Sequence, residues 1–236
     1  MGMNAVYRGP EDMAARLPIF PLGGALLLPR GQMPLNIFEP RYVALIDDAL
    51  SSHRLVGMIQ PDPAAEGEGG APAAAGAAAH GLFSVGCAGR ITQIAETGDG
   101  RYILTLTGVA RFRLREEVAA ATAYRQAEVD YAPFRIDFEP RAGEDEVDRG
   151  AVLRALARFV KANDLAVDWK GVEDAPNEAL VNALSMMSPF GVREKQALLE
   201  APTLKVRAET LVALTEIELA RAAGGAAGGG SDVPLQ

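Results

Sequence analysis

The sequence predicts an α+β protein, in which a mostly antiparallel β-barrel is followed by a bundle of α-helices. Three observations carry this. Up to about residue 135, apolar residues alternate or run in short pieces, and Gly and Pro interrupt them. From Val152 onward they recur at helical spacing. Between the two lies an acidic link, PRAGEDEVD, at 140–148.

The elements follow in order. Residues 1–16 read as a polar arm with little order. In LPIFPLGGALLLP (17–29), prolines at 18, 21 and 29 exclude a helix interior, and short extended pieces with turns fit better. A strand is expected over 32–38. Pro40 suits the first turn of a helix, where its missing N–H needs no partner. Glu39 then stands at the helix entrance, where negative charge is favoured. Val43, Ile46 and Leu50 keep helical spacing, so 40–51 is a helix. Another strand covers 55–59.

PDPAAEGEGGAPAAAGAAAHG (61–81) is low-complexity Ala/Gly/Pro and reads as a long mobile loop. A strand over 83–94 follows. In ETGDGRY (96–102), Gly98, Asp99 and Gly100 suit the positive-φ positions of a hairpin. Residues 102–109 return as its partner, 110–118 continue extended, and 124–131 form a further strand. Short strands between Gly/Pro turns favour a barrel over an open α/β sheet. Helices are expected around 152–163 and over 179–187, 192–200 and 204–219. Pro189 and Pro202 mark breaks, and Trp169 falls in a loop between helices. The organisation expected is a flexible arm (1–15), a β-rich part (16–135) with its loop at 61–81, a helical part (140–222) and a disordered tail (223–236).

The chain has 236 residues and a net charge of −8. That length suits one large domain or two small ones, with a core that needs no staples. Acidity counts against a nucleic-acid partner. Arg111, Arg113 and Arg115 cluster, but strand alternation puts all three on one exposed, solvated face. Cys87 is the single cysteine. It sits in the strand-like VGCAGRI, where a small buried thiol fits and no internal disulfide is possible. The start of the chain lacks the basic and apolar regions of a signal peptide. Its longest apolar stretch is too short to span a bilayer. A cytoplasmic protein with no membrane contact is the expectation.

The search for catalytic constellations returns nothing. Gly-Lys never occurs, so there is no P-loop, and no HExxH, CxxC, GxSxG or Ser-x-x-Lys appears. His53 follows two serines near a helix end, where a positive charge complements the helix C-terminus. His80 lies in the Ala/Gly loop. Asp47/Asp48 and Glu116/Glu117 are adjacent pairs whose side chains point apart. The acidic run 144–148 solvates a helix start. No enzyme activity, cofactor or metal is expected.

Three stretches, in order, resemble a known family. LPIFPLGGALLLPRGQMPLNIFEPRY is similar to the opening of the Lon protease N-terminal (substrate-binding) domain. VGCAGRITQIAETGDGRYILTLTGVARFRL resembles its central hairpin, with the DGRY turn and a G-x-x-R-F segment (Gly108, Arg111, Phe112). NEALVNALSMMSPFGVREKQALLEAPTLKVRAETLVALTEIELAR resembles its C-terminal helices. The likeness covers about residues 16–222 and is strongest to stand-alone bacterial members without the ATPase and protease modules. It implies a PUA-like barrel followed by a helical bundle, and a role in recognising polypeptide substrates or partner proteins.

The residues singled out as signature or peptide- and partner-binding positions are Pro34, Asn36, Glu39, Arg41, Tyr42, Asp99, Arg101 and Arg111. For PLNIFEPRY two readings stand. In one, Pro40 starts the helix, Glu39 caps it and Arg41 pairs with a nearby acid. In the other, Glu39, Arg41 and Tyr42 edge a peptide groove. Phe112 reads as core, and Arg111 as a lock on the hairpin through Asp99. Met186, Met187 and the last helix read as buried in the bundle or, alternatively, as a partner surface. The leading function is non-catalytic binding of unfolded or extended polypeptide, or of a dedicated protein partner, as a quality-control adaptor. The alternatives are RNA binding and small-molecule sensing on a PUA-like module.

Overall fold

The computed structural model describes residues 5–65 and 81–227. His80, most of the expected loop and the end of the tail lie outside the described residues. Six strands form one mixed sheet: β1 (Arg16–Pro21), β2 (Gln32–Ile37), β3 (Leu55–Ile59), β4 (Val85–Glu96), β5 (Tyr102–Val118) and β6 (Arg125–Asp130). Their order is β2-β5-β4-β3-β1-β6, and β6 also pairs with β5. Five strands therefore close on themselves. β2 attaches to the first part of β5 and β6 to the last part. Only β1 and β3 pair in parallel. Irregular register in the β4–β5 and β5–β6 pairs marks bulges, which bend strands enough to close a small barrel.

α1 (Pro40–Ser51) follows β2. The helical part holds α2 (Arg149–Ala162), α3 (Trp169–Asp174), α4 (Asn177–Met187), α5 (Val192–Glu200) and α6 (Leu204–Ala227). Asp148 caps α2, its carboxylate accepting from the Ala151 N–H. A 3₁₀ segment, Ala132–Phe138, leads out of β6. The ends of the 61–81 segment are joined by a bridge between Pro61 and Leu82.

Two apolar clusters hold the fold. One fills the barrel with Leu17, Ile19, Leu55, Phe112 and Val129. The other runs from Leu28, Leu45 and Leu106 into Leu180, Val181, Leu198 and Leu204, so barrel and helices share one core. The apolar run 26–28 is explained by this. It is a loop whose three leucines are buried in that shared core. Backbone bonds tie down its end: the Gly31 N–H donates to Leu28 O, the Arg30 N–H to Gly108 O and the Gly108 N–H to Gly31 O. Gly108 allows the close approach, because a Cβ there would lie 2.0 Å from the Leu28 carbonyl oxygen.

Several expectations are corrected. Residues expected as a loose arm are laid against the barrel from Tyr7 onward: Met13 is buried, and Tyr7 accepts a hydrogen bond from Arg90. Trp169 opens α3 instead of lying in a loop, because the Asp168 side chain caps the helix through the Gly171 N–H. In the hairpin turn only Gly98 and Gly100 have positive φ. His53 does not act as a cation. Burial lowers its pKa, and Nδ1 accepts the Leu55 N–H, so a neutral ring is favoured.

Candidate functional site

The PLNIFEPRY stretch is a strand-to-helix corner. Glu39 occupies the N-cap position with extended backbone, but its side chain makes no capping bond. The carboxylate instead accepts from Arg41 Nε at 2.9 Å, which corrects the capping expectation. The Arg41 guanidinium lies 4.5 Å from the centre of the Tyr42 ring, and buried Tyr42 stacks on Phe20. Pro34 and Asn36 are exposed on β2, opposite Thr105 and Ile103. Asp99 and Arg101 pair with each other at the hairpin tip. Since Ile37 lies opposite Tyr102, the tip and the corner share one end of the barrel. Arg111 stands apart from the other seven.

Among the described residues β2 has one unpaired edge, where an extended peptide could add as a strand. The Gly108 N–H to Gly31 O bond sets the register. Continued along β2, it directs odd-numbered residues to β5 and even-numbered ones to the free edge. Pro34 therefore removes a donor from the middle of that edge, as prolines on guarded edge strands do.

A second surface lies in the helical part. Helices α2, α3, α4 and α6 enclose a groove of about 710 Å³. Its lining includes Leu156, Phe159, Leu165, Leu184 and Met187. Met187 is 80% exposed and Leu165 51%, so the apolar surface continues to the rim. Burial of Met187 in the bundle was expected. The structure instead makes it the last residue of α4, at the exposed rim of the groove. Three lining residues have polar side chains, and all three are occupied. Asp168 caps α3, the Thr215 hydroxyl donates to Leu211 O, and the Ser188 hydroxyl donates to Leu184 O.

A smaller cleft of about 370 Å³ lies beside α1 and includes His53, Asp48 and Tyr124. The Tyr124 hydroxyl donates to Asp48 at 2.6 Å, and the Tyr102 hydroxyl donates to Asp47 at 2.8 Å. The adjacent aspartates thus point apart and pin α1 to β5 and to the residue ahead of β6. Burial, helped by Asp48, pushes the Tyr124 hydroxyl up to about 12. Cys87 is buried, and burial raises its pKa far above the thiol range, so no nucleophile is offered. Among the described residues, no group of three His, Cys, Asp or Glu gathers to hold a metal ion.

Comparison with known proteins places this architecture. The family model for the ATP-dependent protease La (LON) substrate-binding domain matches residues 16–216. The chain belongs to the Lon substrate-binding-domain family. "Lon protease 2" of Myxococcus xanthus is 29% identical over 211 residues, which is 86% of this chain and 24% of that protein. "Lon protease" of Anaeromyxobacter dehalogenans is likewise 29% identical over 212 residues. The chain thus spans about a quarter of the length of the curated relatives it matches. Among solved structures, a Lon N-terminal domain protein from Xanthomonas campestris superposes with a TM-score of 0.59 at 22% identity. The alignment covers 85% of this chain and 98% of that one.

Within the Lon domain, the G-x-x-R-F segment serves the joint between barrel and helices. Arg111 is 2% exposed and does not reach Asp99. Ten residues of strand separate Arg111 from Arg101, roughly 33 Å. Its guanidinium pairs with buried Asp137 (Nη2–Oδ1 2.7 Å) and donates to the carbonyls of Leu199 and Ala201 at the end of α5. The expectation of three exposed arginines fails at Arg111. Strand alternation holds, but helices and the 3₁₀ segment cover that part of the face. Arg113 and Arg115 are exposed, and Arg115 pairs with Asp130.

Buried Arg207 donates to Leu198 O and to Asn182 Oδ1, and Asn182 in turn donates to Pro29 O. Burial, with Arg111 nearby, lowers its pKa to about 10, still charged at neutral pH. Arg30 pairs with Glu178. Asp137 and Arg207 are missing from the sequence-based candidates. Each is one charge among several, in FRIDF (Arg135, Asp137) and LKVRAETL (Lys205, Arg207, Glu209); the one signal is that Arg207 falls on the apolar stripe of Leu204, Ala208 and Leu211.

Proposed function

We propose that this chain is a non-catalytic polypeptide-recognition module that holds apolar segments of other proteins in the groove of its helical part. One observation carries the reading: the groove is large, apolar and open, and each of its three polar side chains already makes a hydrogen bond within the protein. Such a surface gains free energy by removing apolar side chains from water and makes few demands on their sequence. Membership of a substrate-binding-domain family supports the same direction. In this reading Glu39, Arg41, Tyr42 and Arg111 serve the architecture. The setting we infer is the cytoplasm, as a quality-control adaptor. No described helix is long and apolar enough to cross a membrane.

The test is fluorescence anisotropy of a labelled, permanently unfolded polypeptide titrated with the protein. Saturable binding that survives moderate salt is expected. Leu165→Asp and Met187→Asp, at exposed rim positions, should weaken it by on the order of tenfold or more while changing stability by only about 0.5 kcal/mol. Absence of saturable binding at high protein concentration would overturn the proposal. Saturable RNA binding with a steep salt dependence would replace it with the nucleic-acid reading.

A further inference from the structure

We propose that the occupant of the helical groove is itself an α-helix, an amphipathic segment with an uncharged apolar face, and that extended chain is disfavoured. This rests on the proposed polypeptide-binding role and specifies its substrate class.

The argument is one of polar and charge complementarity. An extended segment carries an unpaired N–H and C=O at nearly every residue. Burying them without partners costs several kcal/mol each, by transfer data on the order of 2–7. The groove would have to supply those partners. Its walls are mostly helices, whose backbone groups are spent internally except at their ends, with the short link 165–167 between α2 and α3 completing them. Several groups where helix ends reach the lining are already bonded: the Leu165 N–H donates to Val160 O, Asp168 takes the Gly171 N–H, and the Leu184 carbonyl accepts from both the N–H and the hydroxyl of Ser188. Thr215 is bonded to Leu211 O.

Asp168 is the single charged lining residue, and its carboxylate is engaged in the cap. The largely apolar lining thus offers few partners for a buried charge or for a run of bare peptide groups. A helix satisfies its own backbone and presents only side chains, so it fits this surface. Exposed Met187 on the rim suits side chains of varied shape, because methionine is flexible and polarisable. The other plausible platform for extended chain, the β2 edge, has Pro34 in its middle.

The experiment uses the full chain and three labelled peptides of about 18 residues. The first repeats Leu at i, i+3, i+4 and i+7 with Lys and Glu elsewhere. The second has the same composition with strictly alternating Leu. The third is the first with two interior prolines. The helical pattern should bind saturably, and the other two at least about tenfold more weakly. Trp169, the only tryptophan, is 41% exposed beside lining residue Asp168, so its emission should shift to the blue on binding. Met187→Asp should weaken the helical peptide and abolish that shift.

Equal affinity for the helical, alternating and proline peptides, each sensitive to Met187→Asp, would overturn the helix assignment and leave polypeptide binding in the groove standing. Binding of all three that ignores both Met187→Asp and Leu165→Asp would overturn the groove itself.

Discussion

The helical part of this Lon-family domain shows two contrasting faces. Toward the barrel it is closed, with a buried polar network set in the apolar core that it shares with the barrel. Arg111, Asp137, Arg207 and Asn182 are buried, and their polar atoms go to one another and to the carbonyls of α5 and Pro29. Away from the barrel it is apolar and open, with Leu165 and Met187 exposed beside the 710 Å³ groove. A network of buried charges tolerates little displacement, because any group left unpaired is costly. Apolar walls tolerate rearrangement, since dispersion and water exclusion have no direction. The contrast assigns rigid positioning to one face and adaptable contact to the other.

The largest effect should come from breaking the closed face. Asp137→Ala leaves the Arg111 guanidinium buried with carbonyl partners only, and should cost about 3–5 kcal/mol. A urea titration measures it, and a loss below about 1 kcal/mol would show that the network is not the joint described here. Gly108→Ala comes next. A Cβ placed 2.0 Å from the Leu28 carbonyl oxygen meets backbone, which no rotamer change relieves. A loss of about 1–3 kcal/mol is expected from overpacking. Because Leu28 and Pro29 lead into the Asn182 contact, this substitution strains the closed face from the barrel side.

The smallest effect lies away from both faces. Burial depresses the His53 pKa below its ordinary value of about 6.5. The unfolded state therefore binds more protons than the native state in the interval between the folded pKa and 6.5. Stability from this residue is present above about pH 6.5, is lost as pH falls through that interval, and is flat below the folded pKa. His53→Asn keeps an acceptor for the Leu55 N–H without the titration, so urea midpoints measured across pH 4 to 8 should lose that part of their slope. An unchanged slope would assign the acid sensitivity to other groups.

Much of this fold is legible in the sequence. The helix Pro40–Ser51 and the strand Leu55–Ile59 follow from apolar spacing and from Pro40, because local geometry dictates both. The three family-like stretches give the order of barrel and bundle. The faces themselves are less legible. Alternation correctly puts Arg111 on the side of Arg113 and Arg115, but only tertiary packing decides that helices cover one arginine and leave the others in water. Met187 reads as core because apolar residues at helical spacing usually are. The groove exists because α2, α3, α4 and α6 meet only partly, which no local pattern records. The corner 34–42 sets Glu39 and Arg41 two residues apart, and the two side chains bond each other.

The most direct test is amide hydrogen exchange of the protein with and without saturating unfolded polypeptide. Slowed exchange concentrated in α3, in the 163–168 link ahead of it and around the end of α4 is the predicted result. Slowed exchange confined to β2, the 34–42 corner and the 96–102 hairpin, with the helical groove unchanged, would contradict it and place recognition on the barrel.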